Sequence, residues 1–120
     1  MIFLLDSVVF IDHLNGVSEA THFIQTHARE LAISAITRAE VLSGFADEDV
    51  SAGRTLLDRF PFLPMDVDVA DEAARIRRRT RLKLPDAIQA AFAIRHGLKL
   101  VTRNIKDFPP SKFDFVTVPY

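Results

Sequence analysis

The chain has 120 residues and a formal net charge of −1, so it can form one self-sufficient core and has no global positive charge that would indicate nucleic-acid binding. It has no cysteine, which excludes a disulfide framework, a zinc–thiolate site and a thiol nucleophile. The N-terminal residues lack the basic start of a signal peptide, and no apolar run approaches the roughly 20 residues of a membrane span. We therefore expect one domain over residues 1–120, cytoplasmic and without membrane association.

Strand and helix patterns alternate along the chain. Strands are expected at residues 2–5, 31–36, 62–67, 98–102 and 113–118, and Pro64 places the third near a sheet edge. Helices are expected over 7–14, after Ser18, from Thr37, over 49–60, after Asp68 and over 83–97, with Ser18, Thr37 and Asp68 as N-caps. This alternation predicts an α/β fold, a three-layer α/β/α sandwich with a mostly parallel central sheet.

The last of these helices, KLPDAIQAAFAIRHG, is apolar almost all the way round, yet Asp86 lies in its first turn. Pro85 near its start and Gly97 past its end fit the residue preferences of helix termini. A charge at the head of a buried helix needs an explanation from its surroundings.

Acidic and amide side chains recur where the predicted strands end. Asp6 follows the first strand, Glu40 lies near the start of the helix after the second, and Asn104 and Asp107 follow the fourth. Ligands of open parallel sheets bind outside the carboxyl ends of the strands, so these side chains and Asp86 are expected in one crevice.

Each acid alone is explained by helix capping: Asp6 as an N-cap, Glu40 as the partner of Thr37 in a capping box, and Asp86 as a charge favoured at a helix N-terminus. Three carboxylates in one crevice are different. Each pair roughly 5 Å apart repels by about 3 kcal/mol at an effective dielectric near 20, so the set would cost on the order of 10 kcal/mol. A bound cation offsets this cost, and carboxylate ligands select Mg²⁺ or Mn²⁺.

The chemistry that such an ion supports is hydrolysis of phosphodiesters, since it acidifies a water and offsets charge on the phosphate. Ser7 and Thr102 are candidates for orienting the carboxylates, and Arg103 is a candidate for holding a phosphate. Arginines crowd the helix before Asp86, and Arg77, Arg78 and Arg81 are candidates for RNA binding, with a solvated outer face as the alternative.

With these residues placed, the sequence resembles a PIN domain, and specifically a VapC-type toxin ribonuclease of a toxin–antitoxin pair. The stretches that carry the resemblance are FLLDSVVFIDHLNG, AISAITRAEVLSGF and LKLPDAIQAAFAIRHGLKLVTRNIKDF, which are distributed over residues 3–108. None of the three is diagnostic alone, but in this order and spacing they are strong evidence for the resemblance.

The resemblance implies a Mg²⁺-dependent endoribonuclease that forms a homodimer and is held inactive by a cognate antitoxin. It implies that Asp6 and Asp86 are the principal metal-binding aspartates and that Glu40 is the third acid. The fourth acidic position is Asn104 instead of Asp, so one well-bound ion is expected. Asp107 either supplies the missing carboxylate or hydrogen-bonds the loop.

Two alternatives remain at this stage. A receiver-like regulatory domain also binds Mg²⁺ beside an acid after its first strand, but it leaves Glu40 and Asp86 without a role. A PIN-like module that binds RNA or a partner protein without cutting is favoured by Asn104 and opposed by the three intact acids.

Overall fold

The computed structural model describes all 120 residues and forms a five-stranded, entirely parallel sheet with helices on both faces. The elements in chain order are β1 (Phe3–Leu5), α1 (Ser7–Leu14), α2 (Ser18–Thr26), a 3-10 turn (Ala28–Glu30), β2 (Leu31–Ser34), α3 (Ala35–Ser43), α4 (Val50–Leu57), β3 (Phe62–Leu63), α5 (Val67–Arg79), α6 (Leu84–His96), β4 (Lys99–Val101) and β5 (Val116–Thr117). The predicted three-layer α/β/α sandwich is confirmed.

The sheet has the order β3-β2-β1-β4-β5, which places β1 at its centre. The chain runs outward from β1 to β3 and then returns to the other side of β1 for β4. This reversal puts a crevice between the carboxyl ends of β1 and β4, the place where open α/β sheets bind ligands. A receiver-like domain has the strand order 2-1-3-4-5, so that alternative is wrong.

Two hydrophobic clusters, one on each face of the sheet, form the core. Successive strand residues point to opposite faces, so Leu4 joins one cluster and Leu5 the other. The cluster around Leu4 contains α5 and α6, and the cluster around Leu5 contains residues from α1 to α4. Seven consecutive residues of α6, Ala87–Ala93, are buried, which explains why this helix has almost no polar face.

Several predicted boundaries and caps are wrong. Ser34, not Thr37, caps α3, because its hydroxyl accepts from the Thr37 amide and the second strand ends there instead of at residue 36. Asp66, not Asp68, caps α5 through the Val69 amide, and Ser18 makes no capping bond. The strands expected at 62–67 and 113–118 shrink to two residues each, although the third does lie at a sheet edge.

Both ends of α6 are as predicted: Pro85 lies in its first turn, and Gly97 ends it in the left-handed conformation at φ 64°. The Leu98 amide donates to the Ala93 carbonyl and the Gly97 amide to the Ile94 carbonyl, which is the Schellman arrangement. No helix in the structure is long and apolar enough to cross a membrane.

We predict that Gly97→Ala lowers the free energy of unfolding by about 1–2 kcal/mol, because a Cβ is disfavoured in the left-handed conformation. Gly44→Ala is the matched control: this glycine also follows a helix, but its φ is −85° and an added Cβ would meet only the Val41 carbonyl oxygen at 3.6 Å. Urea denaturation of the two variants measures the difference. Equal destabilisation would contradict the role assigned to the Gly97 conformation.

Candidate active site

Six of the residues predicted from the sequence line one pocket of about 390 Å³: Asp6, Ser7, Glu40, Asp86, Arg103 and Asn104. They come from the ends of β1 and β4 and from α1, α3 and α6, so distant parts of the chain meet here. Because α3 begins at Ala35, Glu40 lies in its second turn and cannot complete a capping box. The expected convergence of Asp6, Glu40 and Asp86 on one crevice is therefore present, and we call this cavity the acidic pocket.

Asp6 is the most firmly held of the three acids and is only 8% exposed. Its Oδ1 accepts from the Ser7 amide at 3.0 Å and from Gln89 Nε2 at 3.0 Å, and its Oδ2 accepts from Thr102 Oγ1 at 2.7 Å. Asp6 thus acts as the N-cap of α1, as predicted, and also lines the acidic pocket. The three donors use three of about four acceptor positions on a carboxylate, which leaves room for one further ligand.

Gln89 is a site residue that the sequence reasoning missed. It lies in α6 at 1% exposure, and besides Asp6 its amide group donates to Thr37 Oγ1 at 2.8 Å and accepts from Ser34 Oγ at 2.6 Å. Thr37 in turn donates to the Leu5 carbonyl at 3.0 Å. The available signal was one long polar side chain within the apolar run of α6, because buried polar groups are almost always hydrogen-bonded.

Glu40 is tied to the pocket by Ser7, whose Oγ donates to Glu40 Oε1 at 3.1 Å. The residue as a whole is exposed, but partial burial of its carboxylate raises the pKa of Glu40. The Ser7 hydrogen bond opposes this rise, while the charges of Asp6 and Asp86 add to it. This direct contact supports the predicted role of Ser7 in orienting a carboxylate.

Asp86 lies in the first turn of α6, and the charges of neighbouring acids affect its pKa. Burial is the largest cause that raises the pKa of Asp86, followed by the charges of Asp107 and Asp6, and Lys83 opposes them. Asp107 does not line the acidic pocket; its Oδ2 accepts from Asn104 Nδ2 at 2.9 Å. The predicted loop hydrogen bond of Asp107 is present, and its charge also reaches the site.

Arg103 borders the pocket in a fixed position that the sequence did not reveal. Its guanidinium donates to Asp12 Oδ2 at 3.1 Å and lies 5.0 Å from the centroid of the Tyr120 ring. Tyr120 closes this cluster by donating its hydroxyl to the same Asp12 oxygen at 2.9 Å, and burial together with this bond raises the pKa of Tyr120. Arg103 remains about half exposed, so its cation is accessible beside the acids.

The three arginines predicted to bind RNA are in different surroundings. Arg81 lines a neighbouring cavity of about 510 Å³, whereas Arg77 and Arg78 are exposed on α5 and line neither that cavity nor the acidic pocket. A further cavity of about 520 Å³ lies against α2, and its single acid is Glu19. Of these three cavities, only the smaller acidic pocket is lined by several carboxylates.

The donors in the acidic pocket suit a hard cation, since they are carboxylate, hydroxyl and amide oxygens. No group of three or more Asp, Glu or His side chains is arranged so that it could hold an ion by itself. Mg²⁺ typically uses only one or two carboxylates and keeps several waters, so the residues present fit this ion without a closed cage.

Comparisons with known proteins show which family this chain is similar to. The family model for the PIN domain matches residues 3–109. Ribonuclease VapC10 of Mycobacterium tuberculosis is 33% identical over 113 residues, which cover 88% of this chain and 85% of that protein. A toxin–antitoxin complex from Klebsiella pneumoniae contains a chain that is 36% identical, with a TM-score of 0.89 and coverage of 98% of this chain and 97% of that one.

A more distant solved structure shares the fold: VapBC2 from Rickettsia felis, at 21% identity, has a TM-score of 0.80 and covers 97% of this chain and 96% of its own. The chain therefore belongs to the PIN-domain family. Within that family it is a VapC-type toxin ribonuclease, which confirms the resemblance of the three sequence stretches.

We predict that Gln89→Leu lowers the free energy of unfolding by about 1–3 kcal/mol, because it removes a donor from the buried Asp6 carboxylate and the acceptor of Ser34. Gln25→Leu on the exposed face of α2 is the control and should change stability by less than about 0.5 kcal/mol. Urea denaturation measures both. Two equal effects would show that the Gln89 bonds contribute nothing to stability.

We predict that Glu40→Gln stabilises the metal-free protein. The pKa of Glu40 is raised in the folded state, so folding favours its protonated form and loses stability as the pH rises above the ordinary value of 4.5. Gln keeps an oxygen for the Ser7 hydroxyl but carries no charge. Urea midpoints measured with EDTA should show a gap between variant and wild type that is small near about pH 4, widens as the pH rises through the folded-state pKa of Glu40 and then stays level. A gap that is the same at about pH 4 and at neutral pH would mean that charge is not its cause.

Proposed function

We propose that the protein is a Mg²⁺-dependent endoribonuclease that hydrolyses RNA phosphodiester bonds in the acidic pocket. One observation carries this proposal: Asp6, Glu40 and Asp86 arrive from three separate segments at one pocket of a VapC-type ribonuclease. PIN ribonucleases are typically metal-dependent. Mg²⁺ is the ion that best suits these ligands, and Mn²⁺ is a plausible substitute.

Asp6 and Asp86 are the residues that we assign to the ion, with Glu40 as the third acid. Asp6 supports this assignment because its hydrogen bonds fix the carboxylate and leave one acceptor position. When bound, the ion activates the attacking water and offsets negative charge on the phosphate. Asn104 stands where a fourth carboxylate would bind a second ion, so we propose that one ion is tightly bound.

The other polar side chains orient the acidic residues or bind the substrate. Ser7 holds Glu40 at the pocket, where its carboxylate can accept a proton from the attacking water. Thr102 fixes Asp6, and Arg103, held by its contacts with Asp12 and Tyr120, is placed to bind a phosphate oxygen of the substrate. Asp107 adds negative charge beside Asp86 and thereby favours cation binding.

The partners follow from the family. Solved relatives include toxin–antitoxin complexes, and we propose that this chain likewise binds a cognate antitoxin, forms a homodimer and acts on RNA in the cytoplasm. A non-cutting PIN-like binding module is the second candidate function, favoured by Asn104, an amide where a fourth carboxylate was expected.

Cleavage of a mixed cellular RNA pool, with and without Mg²⁺ or Mn²⁺, tests the proposal. We predict that Asp6→Asn and Asp86→Asn each reduce metal-dependent cleavage at least about 100-fold, because the ion supplies several kcal/mol of transition-state stabilisation. Asp71→Asn, at an exposed acid of α5, removes the same charge outside the pocket and should cut like the wild type.

Binding of RNA in EDTA separates the two candidate functions, and both pocket variants should retain it. Normal cleavage by Asp6→Asn and Asp86→Asn would show that the assigned acids are wrong. Folded wild-type protein that binds RNA and Mg²⁺ but cuts no RNA in the pool would favour the binding module.

A further inference from the structure

The cavity of about 510 Å³ beside the acidic pocket is lined by four cationic side chains: Arg79, Arg81, Lys106 and Lys112. They come from the end of α5 and the segment that joins it to α6, and from the loop between β4 and β5. We propose that this cavity, which we call the basic groove, binds a single-stranded segment of the RNA that flanks the phosphate to be cut. The inference rests on the proposed function, because it assigns a binding site to the same substrate.

The four cations of the basic groove are exposed and have no ion-pair partner. The ion pairs of arginine elsewhere in the chain involve Arg38, Arg75, Arg95 and Arg103. In a chain with a net charge of −1, the basic groove is therefore a local concentration of positive charge. Unpaired cations from two segments can contact successive phosphates of a polyanion and release its counterions.

The one acid that lines the basic groove also connects it to the acidic pocket. Asp107 accepts a hydrogen bond from Asn104, which lines the acidic pocket, and its charge raises the pKa of Asp86 in that pocket. The two cavities are therefore neighbours. An RNA strand with one phosphate in the acidic pocket can continue directly into the basic groove.

An apolar surface in the groove favours a nucleic acid over an acidic protein segment. Phe113 lines the groove and is half-buried, with its ring packed against Phe108 at 6.1 Å and Phe115 at 5.6 Å between centroids. Proteins that bind single-stranded RNA combine cations for the backbone with aromatic side chains on which bases stack. Phe113 offers such a surface beside the four cations.

Binding of a fluorescent, unstructured oligouridylate by the full chain in EDTA tests the proposal. The groove pair, Arg81→Ala with Lys112→Ala, removes one cation from each segment. The control pair, Arg54→Ala with Arg59→Ala, removes the same charge from exposed positions in and after α4, outside the groove. We predict that the groove pair weakens binding about 10-fold at low salt and reduces the slope of log affinity against log salt by about 1.4, the value for two lost phosphate contacts.

The control pair should bind within about 2-fold of the wild type, because charge outside the groove acts only through a screened field. Equal losses from both pairs, or no loss from the groove pair, would overturn the proposal. A decamer of glutamate is the second probe: if the groove pair loses affinity for this peptide but keeps its affinity for RNA, the groove is a site for an acidic protein segment and the proposal is wrong.

Hydrolysis of bis(p-nitrophenyl) phosphate with Mn²⁺ separates this inference from the proposed function. This substrate is too small to extend into the basic groove, so the groove pair should hydrolyse it at the wild-type rate while cutting RNA more slowly. If the wild type hydrolyses neither this ester nor RNA, the proposed function fails, and the binding comparison still decides the role of the groove.

Discussion

Burial of the Asp6 carboxylate is the constraint on which the rest of the site depends. A buried charge is costly unless it is hydrogen-bonded, and Asp6 receives bonds from Ser7, Gln89 and Thr102. These donors belong to α1, to α6 and to the residue after β4. Satisfying one carboxylate therefore fixes three elements relative to each other at the carboxyl edge of the sheet, and the pocket forms where they meet.

The acidic pocket concentrates like charges at a cost to the stability of the metal-free fold. Glu40 and Asp86 have raised pKa values because burial and neighbouring carboxylates disfavour their ionised forms. An arrangement that weakens the fold is retained where it serves function, as stability–activity trade-offs in enzymes show. In the proposed mechanism the same electrostatics would attract a cation, and Arg103 or that ion would offset the repulsion of a phosphate.

The sequence predicted which helices and strands form more accurately than it predicted the residues at which they begin and end. A continuous apolar run marked β1, and Pro85 and Gly97 marked α6, because these signals are local. Capping was less predictable: Thr37 and Ser34 are both good caps, and the choice depended on where β2 stops pairing with its neighbours. Asp66 and Asp68 present the same ambiguity, since residues two apart compete for one helix start.

The sequence by itself determined the α/β fold and the positions of the acids relative to the strands, because strand ends and apolar periodicity are local features of the sequence. Only the tertiary structure decided how the acids are held. Gln89 bonds Asp6 across 83 positions, and Tyr120 reaches Asp12 across 108, so neither contact leaves a local pattern. The tertiary structure also showed that Arg81 lines a cavity whereas Arg77 and Arg78 do not. Which residues of a charged segment lie beside a cavity depends on how that segment packs.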